Sequence, residues 1–310
     1  MCDSRGPHRL LVVREMMFGT RDKFNYFLCR TCGTLQIEDL LPDEILMSYY
    51  GPGYYSFERQ GGSALSRWMR TQRDRKQLGV TNNIVGQMLA RLKPERIVGV
   101  LGQLGLQRNA AILDVGAGSG FLLDRLAKAG FTKLLGIDPF VASDTMTSGG
   151  VPIRKCSIQH VSGNFDLVMF NHALEHVADP IAVLSAARKL LAPGGICLVR
   201  IPTTSGEAWD VYGANWVQID APRHIVVPSR EGMAYGAKAA GLIIEREIDD
   251  SDSFQFTGSE RYKNDIPLHD PAGEALFDAI TLKRFEQRAK ALNEQGRGDQ
   301  TSFVMRARSR

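Results

Sequence analysis

Ile112-Leu-Asp-Val-Gly-Ala-Gly-Ser-Gly-Phe121 is the stretch of sequence that decides the fold. An apolar run ends in Asp114, three glycines follow at alternate positions, and a helical pattern begins at Leu122. This order predicts a buried strand, a tight turn and a helix start, because glycine lets the backbone bend and a ligand approach closely. The free N–H groups of the helix start favour a carboxylate or a phosphate.

A second acid supports a nucleotide-binding turn. The apolar run from Leu134 to Ile137 ends in Asp138, at about the distance expected for a group that binds ribose hydroxyls. The two strands and the turn therefore predict a Rossmann-like α/β fold. A Gly-rich turn that binds nothing and a dinucleotide enzyme are the competing interpretations of the motif alone.

The glycine spacing distinguishes between nucleotide ligands. Dinucleotide folds use G-x-G-x-x-G, whereas here an acid precedes G-x-G-x-G. This pattern resembles class I S-adenosylmethionine-dependent methyltransferases. The resemblance implies that Asp138 holds the cofactor ribose. It also implies that the turn cradles the methionine portion, with Asp114, Gly116, Ala117, Gly118 and Gly120.

The following region extends the resemblance. Phe165–Asn171 predicts a strand, Asp179 can cap the next helix, and Pro180 suits its first position. The sequence 171–176 and the run 190–195 resemble the fourth and fifth strand region of the same methyltransferases. Asn171, the last residue of this strand, is a further candidate for a cofactor contact. Ser157, in the loop after the third strand, is the candidate for adenine recognition.

The predicted fold is a Rossmann-like seven-stranded methyltransferase sheet with a small N-terminal zinc-type segment and a helical cap. Residues 1–40 form the small, irregular segment, 41–108 the cap, and 109–310 the methyltransferase domain. The sixth and seventh strands are predicted at 242–248 and 301–307. Residues 249–298 are then an insertion with a charged helix near 272–294.

Composition limits the function classes. A net charge of +4, with 44% hydrophobic and 23% charged residues, is ordinary for a globular protein and does not indicate a nucleic-acid partner. No apolar run reaches the ~18 residues of a membrane span, and no signal peptide is evident. Five cysteines without a secretory context suggest a reducing compartment, so we expect a cytoplasmic protein with free or metal-binding thiols.

The N-terminal segment carries a candidate zinc motif. Cys29-Arg-Thr-Cys32-Gly33 is a turn in which glycine relieves crowding and both sulfurs face one ion. Cys2 lies far enough upstream to belong to the opposite ligand pair. The segment resembles the zinc-binding segment that precedes the methyltransferase domain in some sugar C-methyltransferases.

The chain departs from that pattern by one ligand. A closed structural zinc site has four ligands, and Arg5 stands where a second upstream cysteine would be. Either a start upstream of Met1 supplies it, or His8 or water replaces it, or the site has decayed. A metal-free turn and a redox-active Cys-x-x-Cys are the other interpretations.

Methyl transfer from a sulfonium is a direct displacement that needs alignment and often a base. The resemblance to sugar C-methyltransferases implies that His224, after the fifth strand, is that base, with a tyrosine such as Tyr55 nearby. His172, at the end of the fourth strand, is the third catalytic candidate. Packing and capping are the competing roles for both histidines.

The sequence therefore predicts S-adenosylmethionine-dependent methyl transfer to a small molecule, first of all a sugar or nucleotide-sugar. O-methylation of another small hydroxylated metabolite, such as a quinone precursor, is the alternative enzyme. A non-catalytic S-adenosylmethionine-binding scaffold is the alternative from another class.

Overall fold

The computed structural model describes residues 1–51 and 63–308, which form twelve β-strands and ten α-helices. The strands are β1 (Arg9–Arg14), β2 (Lys23–Leu28), β3 (Leu35–Ile37), β4 (Ala111–Val115), β5 (Lys133–Ile137), β6 (Thr145–Met146), β7 (Pro152–Arg154), β8 (Phe165–Asn171), β9 (Leu191–Pro202), β10 (Val226–Val227), β11 (Leu242–Asp249) and β12 (Gln300–Ala307). The helices are α1 (Asp43–Ser48), α2 (Ala64–Gln77), α3 (Ile84–Leu92), α4 (Arg96–Gly102), α5 (Phe121–Ala129), α6 (Pro180–Leu190), α7 (Glu207–Tyr212), α8 (Arg230–Ala239), α9 (Phe254–Lys263) and α10 (Ala279–Glu294). Short 3₁₀ helices lie at Ile158–His160, Leu174–His176, Gly213–Asn215, Val217–Ile219 and Pro271–Leu276.

The chain divides into two compact units. The middle unit holds residues 63–171 and Ala186–Leu198, and its strands follow the order β9-β8-β4-β5-β7-β6. Strand β4 pairs in parallel with both β5 and β8, and β5 pairs in parallel with β7. The carboxyl ends of these strands therefore meet at one edge of the sheet, which is where open α/β sheets bind ligands.

The predicted strand, turn and helix around residue 114 are confirmed. Ile112 and Leu113 are fully buried in β4, as expected for a strand with parallel neighbours on both sides. Helix α5 begins at Phe121 and buries its leucine face. The predicted strand at 165–171 is β8, and Asp179 caps α6 by accepting a hydrogen bond from the Ala182 N–H at 2.9 Å.

The terminal unit holds residues 1–51, His172–Ser185 and Val199–Arg308. It contains a four-stranded sheet in the order β1-β2-β3-β10, with antiparallel pairing throughout. The prediction that residues 1–40 are irregular is therefore wrong. Burial alternates along these strands: Tyr26 is buried beside the exposed Asn25, and Leu35 and Ile37 are buried on either side of Gln36. These short two-sided strands lack the continuous apolar runs of the parallel sheet.

The predicted C-terminal hairpin is confirmed, because β11 and β12 pair antiparallel from Leu242 opposite Ala307 to Asp249 opposite Thr301. The predicted helix at 272–294 is shorter, since Asp278 caps α10 by accepting from the Thr281 N–H at 2.7 Å. Helix α9 was not predicted, because it buries polar residues beside Phe256 and so lacks a clear apolar stripe.

Within the described residues of the middle unit, one strand lies beyond those predicted: β6, a two-residue antiparallel partner of β7. Helices α1 to α4 confirm the helical character of residues 41–108 outside the gap at 52–62. None of the helices in the described ranges has the length and apolar character that a membrane span requires.

Candidate functional site

The turn after β4 is built by three left-handed glycines. Gly116, Gly118 and Gly120 have φ values of 78°, 52° and 73°, a region that strongly favours glycine. The N–H groups of Gly116 and Ala117 both donate to the Ile137 carbonyl, at 2.9 and 3.0 Å, which holds the turn against the end of β5.

Gly120 has a second constraint besides its φ angle. A Cβ atom there would lie 2.6 Å from Ile153 Cδ1 and 2.6 Å from Thr147 Cγ2. It is also the N-cap of α5 and offers no side chain to the first turn of that helix. The N–H groups of the first turn are thus left for a ligand or water.

Asp138 ties the turn to the second strand. Its Oδ2 accepts a hydrogen bond from the Gly118 N–H at 2.9 Å, and its Oδ1 accepts one from the Phe140 N–H at 2.8 Å. An ionised carboxylate has about four lone-pair sites, so each oxygen retains capacity for a ribose hydroxyl. Asp138 therefore has a structural role in addition to the predicted ribose contact.

Asp114 is buried beside this acid. Burial and, next, the negative charge of Asp138 raise the pKa of the Asp114 carboxyl to about 8. Such an acid favours a ligand that brings positive charge, since a cation relieves the repulsion between the two carboxyls. A pyrophosphate would add to the repulsion instead.

Structure places the other predicted cofactor residues in the same unit. Asn171 is the last residue of β8, which is hydrogen-bonded to β4. Ser157 follows β7 and precedes a 3₁₀ turn, where its Oγ lies 2.9 Å from His160 Nδ1. Its hydroxyl thus already has a hydrogen-bond partner, in addition to any contact with a ligand.

A cavity of about 960 Å³ borders the turn at Gly118 and Ser119. Its walls include α2, α5 and the loop 140–148. The guanidinium carbons of Arg70 and Arg125 lie 5.5 and 5.6 Å from the centroid of the Phe121 ring. Neither Asp114 nor Asp138 lines it. The predicted cofactor residues lie instead at the turn and its two acids, where the hydrogen-bonding groups are.

His172 has both ring nitrogens engaged within the terminal unit. Its Nδ1 lies 3.2 Å from Glu175 Oε1, and its Nε2 lies 2.7 Å from Arg200 Nη1. Since a guanidinium only donates, Nε2 must accept and Nδ1–H must donate to the carboxylate. Arg200 is in turn held by Asp250 at 2.6 Å. This arrangement fits a neutral, oriented imidazole better than a free base.

His224 is differently placed. It is 1% exposed, and its Nδ1 lies 2.7 Å from the Gln218 carbonyl, so Nδ1 carries the proton. Its Nε2 has no hydrogen-bond partner among the described residues and lies 3.9 Å from Asp220 Oδ2 and 4.0 Å from Glu175 Oε1. Nε2 therefore carries a lone pair that no donor among the described residues uses, and two carboxylates lie near it.

Glu175 was missed by the sequence analysis as a functional group. Its side chain is fully buried, and its Oε2 has no hydrogen-bond partner in the described ranges. Burial would raise the pKa of this carboxyl, but the hydrogen bond from His172 and the nearby His224 and His176 lower it to about 2. Burial and, next, the charge of His224 lower the pKa of His176 below its usual value. These surroundings thus favour the carboxylate form of Glu175 and the neutral form of His176.

Arg223, next to His224, has its positive charge balanced by two acids. Its guanidinium is fully buried and bonds to Asp220 at 2.6 Å and to Glu15 at 2.9 Å. Tyr55, the tyrosine predicted near the base, lies outside the described residues.

The three predicted metal ligands converge. Cys2, Cys29 and Cys32 offer sulfur atoms that all lie within 4.8 Å of one another, and the Cys2 and Cys29 sulfurs are 3.5 Å apart. Burial raises the pKa of the Cys29 thiol, but backbone N–H groups of Cys32 and Thr31 lower it overall. Burial raises the pKa of the Cys2 thiol to about 11. A lowered pKa at Cys29 favours the thiolate, which is the form of cysteine that binds metal ions.

Among the described residues, no fourth His, Cys, Asp or Glu joins the three cysteines as a ligand. His8 lies nearby in sequence, but its Nε2 is 3.2 Å from the Ser4 carbonyl and its ring stacks on Phe27. The donor set therefore fits a metal ion that completes its coordination with water or another group.

A family model described as "Methyltransferase domain" matches residues 88–247, just over half of the chain. This range includes the glycine turn, both acids and His224. The chain belongs to this family, and with it to the class I S-adenosylmethionine-dependent methyltransferases.

Curated relatives share part of the chain. The ubiquinone biosynthesis O-methyltransferase of Psychrobacter cryohalolentis is 35% identical over 122 residues, which are 34% of this chain and 47% of that protein. The enzyme of the same name from Escherichia coli O157:H7 is 29% identical over 147 residues, 44% of this chain and 61% of that protein. The chain thus spans about half the length of the curated relatives it matches.

Among solved structures, mycolic acid cyclopropane synthase CmaA1, complexed with SAH and CTAB, is similar with a TM-score of 0.43 and 19% identity. The match covers 66% of this chain and 80% of that one. The family assignment rests on the family model.

Proposed function

We propose that the protein transfers a methyl group from S-adenosylmethionine to a hydroxyl group of a small molecule. The main observation in favour of this cofactor is the pair of acids beside the turn. Burial first, and then the negative charge of Asp138, raise the pKa of Asp114, so a positively charged ligand is favoured beside this pair of acids. S-adenosylmethionine brings a sulfonium and an ammonium group, whereas a dinucleotide brings a pyrophosphate.

The turn and the two acids bind different parts of the cofactor. Asp138 accepts hydrogen bonds from the ribose hydroxyls while it keeps the Gly118 N–H in place. The left-handed glycines let the backbone approach the methionine portion without a Cβ in the way. Asp114, once ionised, faces the positive charge of the ligand. When bound, the cofactor supplies an electrophilic methyl group on a positively charged sulfur.

His224 is the proposed base for the acceptor hydroxyl. As the new carbon–oxygen bond forms and the carbon–sulfur bond breaks, the hydroxyl proton passes to His224 Nε2, the ring nitrogen without a partner. Asp220 and Glu175 give counter-charge to the resulting imidazolium, at 3.9 and 4.0 Å. His172 holds Glu175 in place through its Nδ1–H.

The names of the curated relatives support transfer to a hydroxyl group, and we take a hydroxylated aromatic compound as the first acceptor class. They are ubiquinone biosynthesis O-methyltransferases, which act on oxygen. A sugar or nucleotide-sugar acceptor is the second candidate. The convergent Cys2, Cys29 and Cys32 favour it, since the N-terminal cysteine segment resembles that of sugar C-methyltransferases. A cytoplasmic location and a small-molecule partner remain predictions.

Zinc at the three cysteines is part of the proposal. Metal content of the purified protein, measured by emission spectrometry, should approach one zinc per chain. Cys29→Ser should remove it, while Cys156→Ser, at a cysteine outside the group, should not. Absence of zinc from protein purified without chelator would show that the three thiols form a metal-free turn.

The test of the function is an acceptor screen with S-adenosylmethionine labelled on its methyl group. One panel contains catechols and other hydroxylated aromatic compounds, and a second contains nucleotide sugars. Label in the first panel supports O-methylation of an aromatic acceptor, and label in the second shifts the assignment to a sugar. Cofactor binding without labelled product from broad panels would favour a scaffold protein. The matched control is Asp138→Ala, which should bind and transfer less.

A further inference from the structure

The loop that carries His224 is held mainly by residues far from it in sequence. His224 N and Arg223 N both turn back onto the Asp220 carbonyl, at 3.3 and 2.9 Å, and Asp220 itself has a left-handed φ of 40°. A non-glycine residue in this region is strained unless its surroundings fix it. Two fixing contacts come from the turn at 174–176, where the Glu175 carbonyl accepts from the Ile225 N–H at 2.7 Å and His176 Nδ1 lies 2.9 Å from the Arg223 carbonyl. The others come from the N-terminal segment of the terminal unit.

Glu15, just after β1, is the first of these contacts. Its side chain is fully buried, and both oxygens are used. Oε1 accepts from the Phe18 N–H at 3.0 Å and from Arg223 Nη2 at 2.9 Å. Oε2 accepts from the Gly19 and Thr20 N–H groups at 2.9 and 3.0 Å. The carboxylate thus fixes its own loop and Arg223 together.

Arg223 carries this constraint to the acid beside His224. Its Nε and Nη2 donate to Asp220, its Nη1 donates to the Tyr49 carbonyl at 2.7 Å, and the Phe18 ring lies 5.5 Å from it. Burial alone would lower the pKa of Arg223, but Asp220 and Glu15 raise it, so the group stays charged. Asp220 Oδ2 is then 3.9 Å from His224 Nε2.

Tyr26 in β2 holds the backbone of the same loop. Its hydroxyl donates to the His224 carbonyl at 2.8 Å, and the residue is fully buried. Strand β3 continues the attachment, because Ile37 N–H donates to the Ile225 carbonyl at 3.0 Å and β3 pairs with β10 directly after it. The histidine is thus fixed by side chain and by main chain.

We propose that Glu15 and Tyr26 are positioning residues for the candidate base: the N-terminal sheet orients His224. Glu15 acts through Arg223 and Asp220, and Tyr26 acts through the His224 carbonyl. This inference rests on the proposed role of His224. A buried ion pair of this kind is weak evidence for stability, because the cost of desolvating both charges offsets much of their attraction. Its use is to fix one arrangement.

The experiment measures the His224 ring directly, by long-range ¹H–¹⁵N NMR of the histidines in the full chain at one pH. His224→Gln assigns the signal. Wild-type protein should show His224 protonated on Nδ1, because that nitrogen faces the Gln218 carbonyl. Tyr26→Phe and Glu15→Gln should each shift or broaden this signal and leave S-adenosylmethionine affinity within about twofold.

Matched controls remove the same kinds of groups elsewhere in the unit. Tyr212 donates to Glu260 at 2.8 Å, so Tyr212→Phe and Glu260→Gln delete a buried tyrosine hydroxyl and a carboxylate outside the loop. They should leave the His224 signal unchanged. Glu15→Asp replaces Glu15→Gln if the latter does not fold.

A wild-type His224 signal in folded Tyr26→Phe and Glu15 variants would overturn the proposal. Failure of the methyltransferase function gives a different result, in which the variants shift the His224 signal as expected but His224→Gln does not lower turnover. With an active acceptor, Tyr26→Phe should lower kcat about tenfold or more without raising the KM for the cofactor.

Discussion

The cofactor turn and the His224 loop are assembled in opposite ways. The turn and both of its acids lie between Asp114 and Asp138, and its hydrogen bonds join neighbouring strands. The His224 loop is fixed by Glu15, Tyr26 and Tyr49, which are 208, 198 and 174 positions away from their partners in the loop. Local backbone chemistry thus determines the binding turn, whereas the loop with the candidate base depends on the folding of the whole terminal unit.

The largest expected effect concerns the base. His224→Gln should lower turnover on an active acceptor by roughly 10²–10⁴-fold, which is the usual contribution of a positioned acid or base. S-adenosylmethionine affinity should stay within about twofold, because the cofactor groups lie in the turn. Steady-state kinetics and calorimetry on the same sample check both. Equal turnover in the variant would remove His224 as base.

Gly120→Ala should break the turn. The new Cβ would lie 2.6 Å from Ile153 Cδ1 and from Thr147 Cγ2. The alanine would also have to keep the left-handed φ of 73° that Gly120 has. Overpacking and a left-handed non-glycine residue together cost about 2–5 kcal/mol. Gly150→Ala is the matched control, since its φ is 78° but nothing lies within 4 Å of the added Cβ. Chemical unfolding should show the first variant at least ~1 kcal/mol less stable than the second. Equal losses would show that the clash relaxes.

Asp138→Ala should weaken S-adenosylmethionine binding about 10- to 100-fold, because the ribose loses a charged acceptor and the Gly118 N–H loses its partner. Asp166→Ala is the control: it also removes a carboxylate that accepts a backbone N–H, that of Ala111 at 2.7 Å, but away from the turn. Calorimetric affinities that match between the two variants would contradict the ribose role.

The smallest effect is a pH dependence at Asp114. Its pKa is raised to about 8 in the folded chain, against ~3.9 in an unfolded one, so the folded state holds the proton more tightly. This contribution to stability is present below pH ~4 and is lost as the pH rises towards 8. Asp114→Asn stays neutral. Its melting temperature relative to wild type should therefore rise by a few degrees between pH 5 and pH 8. A melting-temperature difference that stays constant between pH 5 and pH 8 would contradict a raised pKa at Asp114.

Sequence reasoning predicted the parts of the fold with local signals. The strand, turn and helix from Ala111 to Ala129, the cap at Asp179 and the β11–β12 hairpin are each determined by residues within a few positions of one another. Helix α9 and the N-terminal sheet were missed because their burial comes from packing partners distant in the chain.

The candidate site follows the same division. The turn residues and Asp138 were predicted as a group, since their spacing alone places them at strand ends. Glu15 and Glu175 gave no comparable signal, because an isolated glutamate looks the same whether it is solvated or buried. Only the fold shows that each is fully buried and tied to a histidine or to Arg223.

The most direct test of the account is a calorimetric titration of the purified chain with S-adenosylmethionine and S-adenosylhomocysteine, with NAD as control. The paired acids of the turn predict micromolar binding of S-adenosylmethionine, binding of S-adenosylhomocysteine, and none of NAD. Binding of NAD, or of no nucleoside ligand by folded protein, would contradict the assignment of this turn to the sulfonium cofactor.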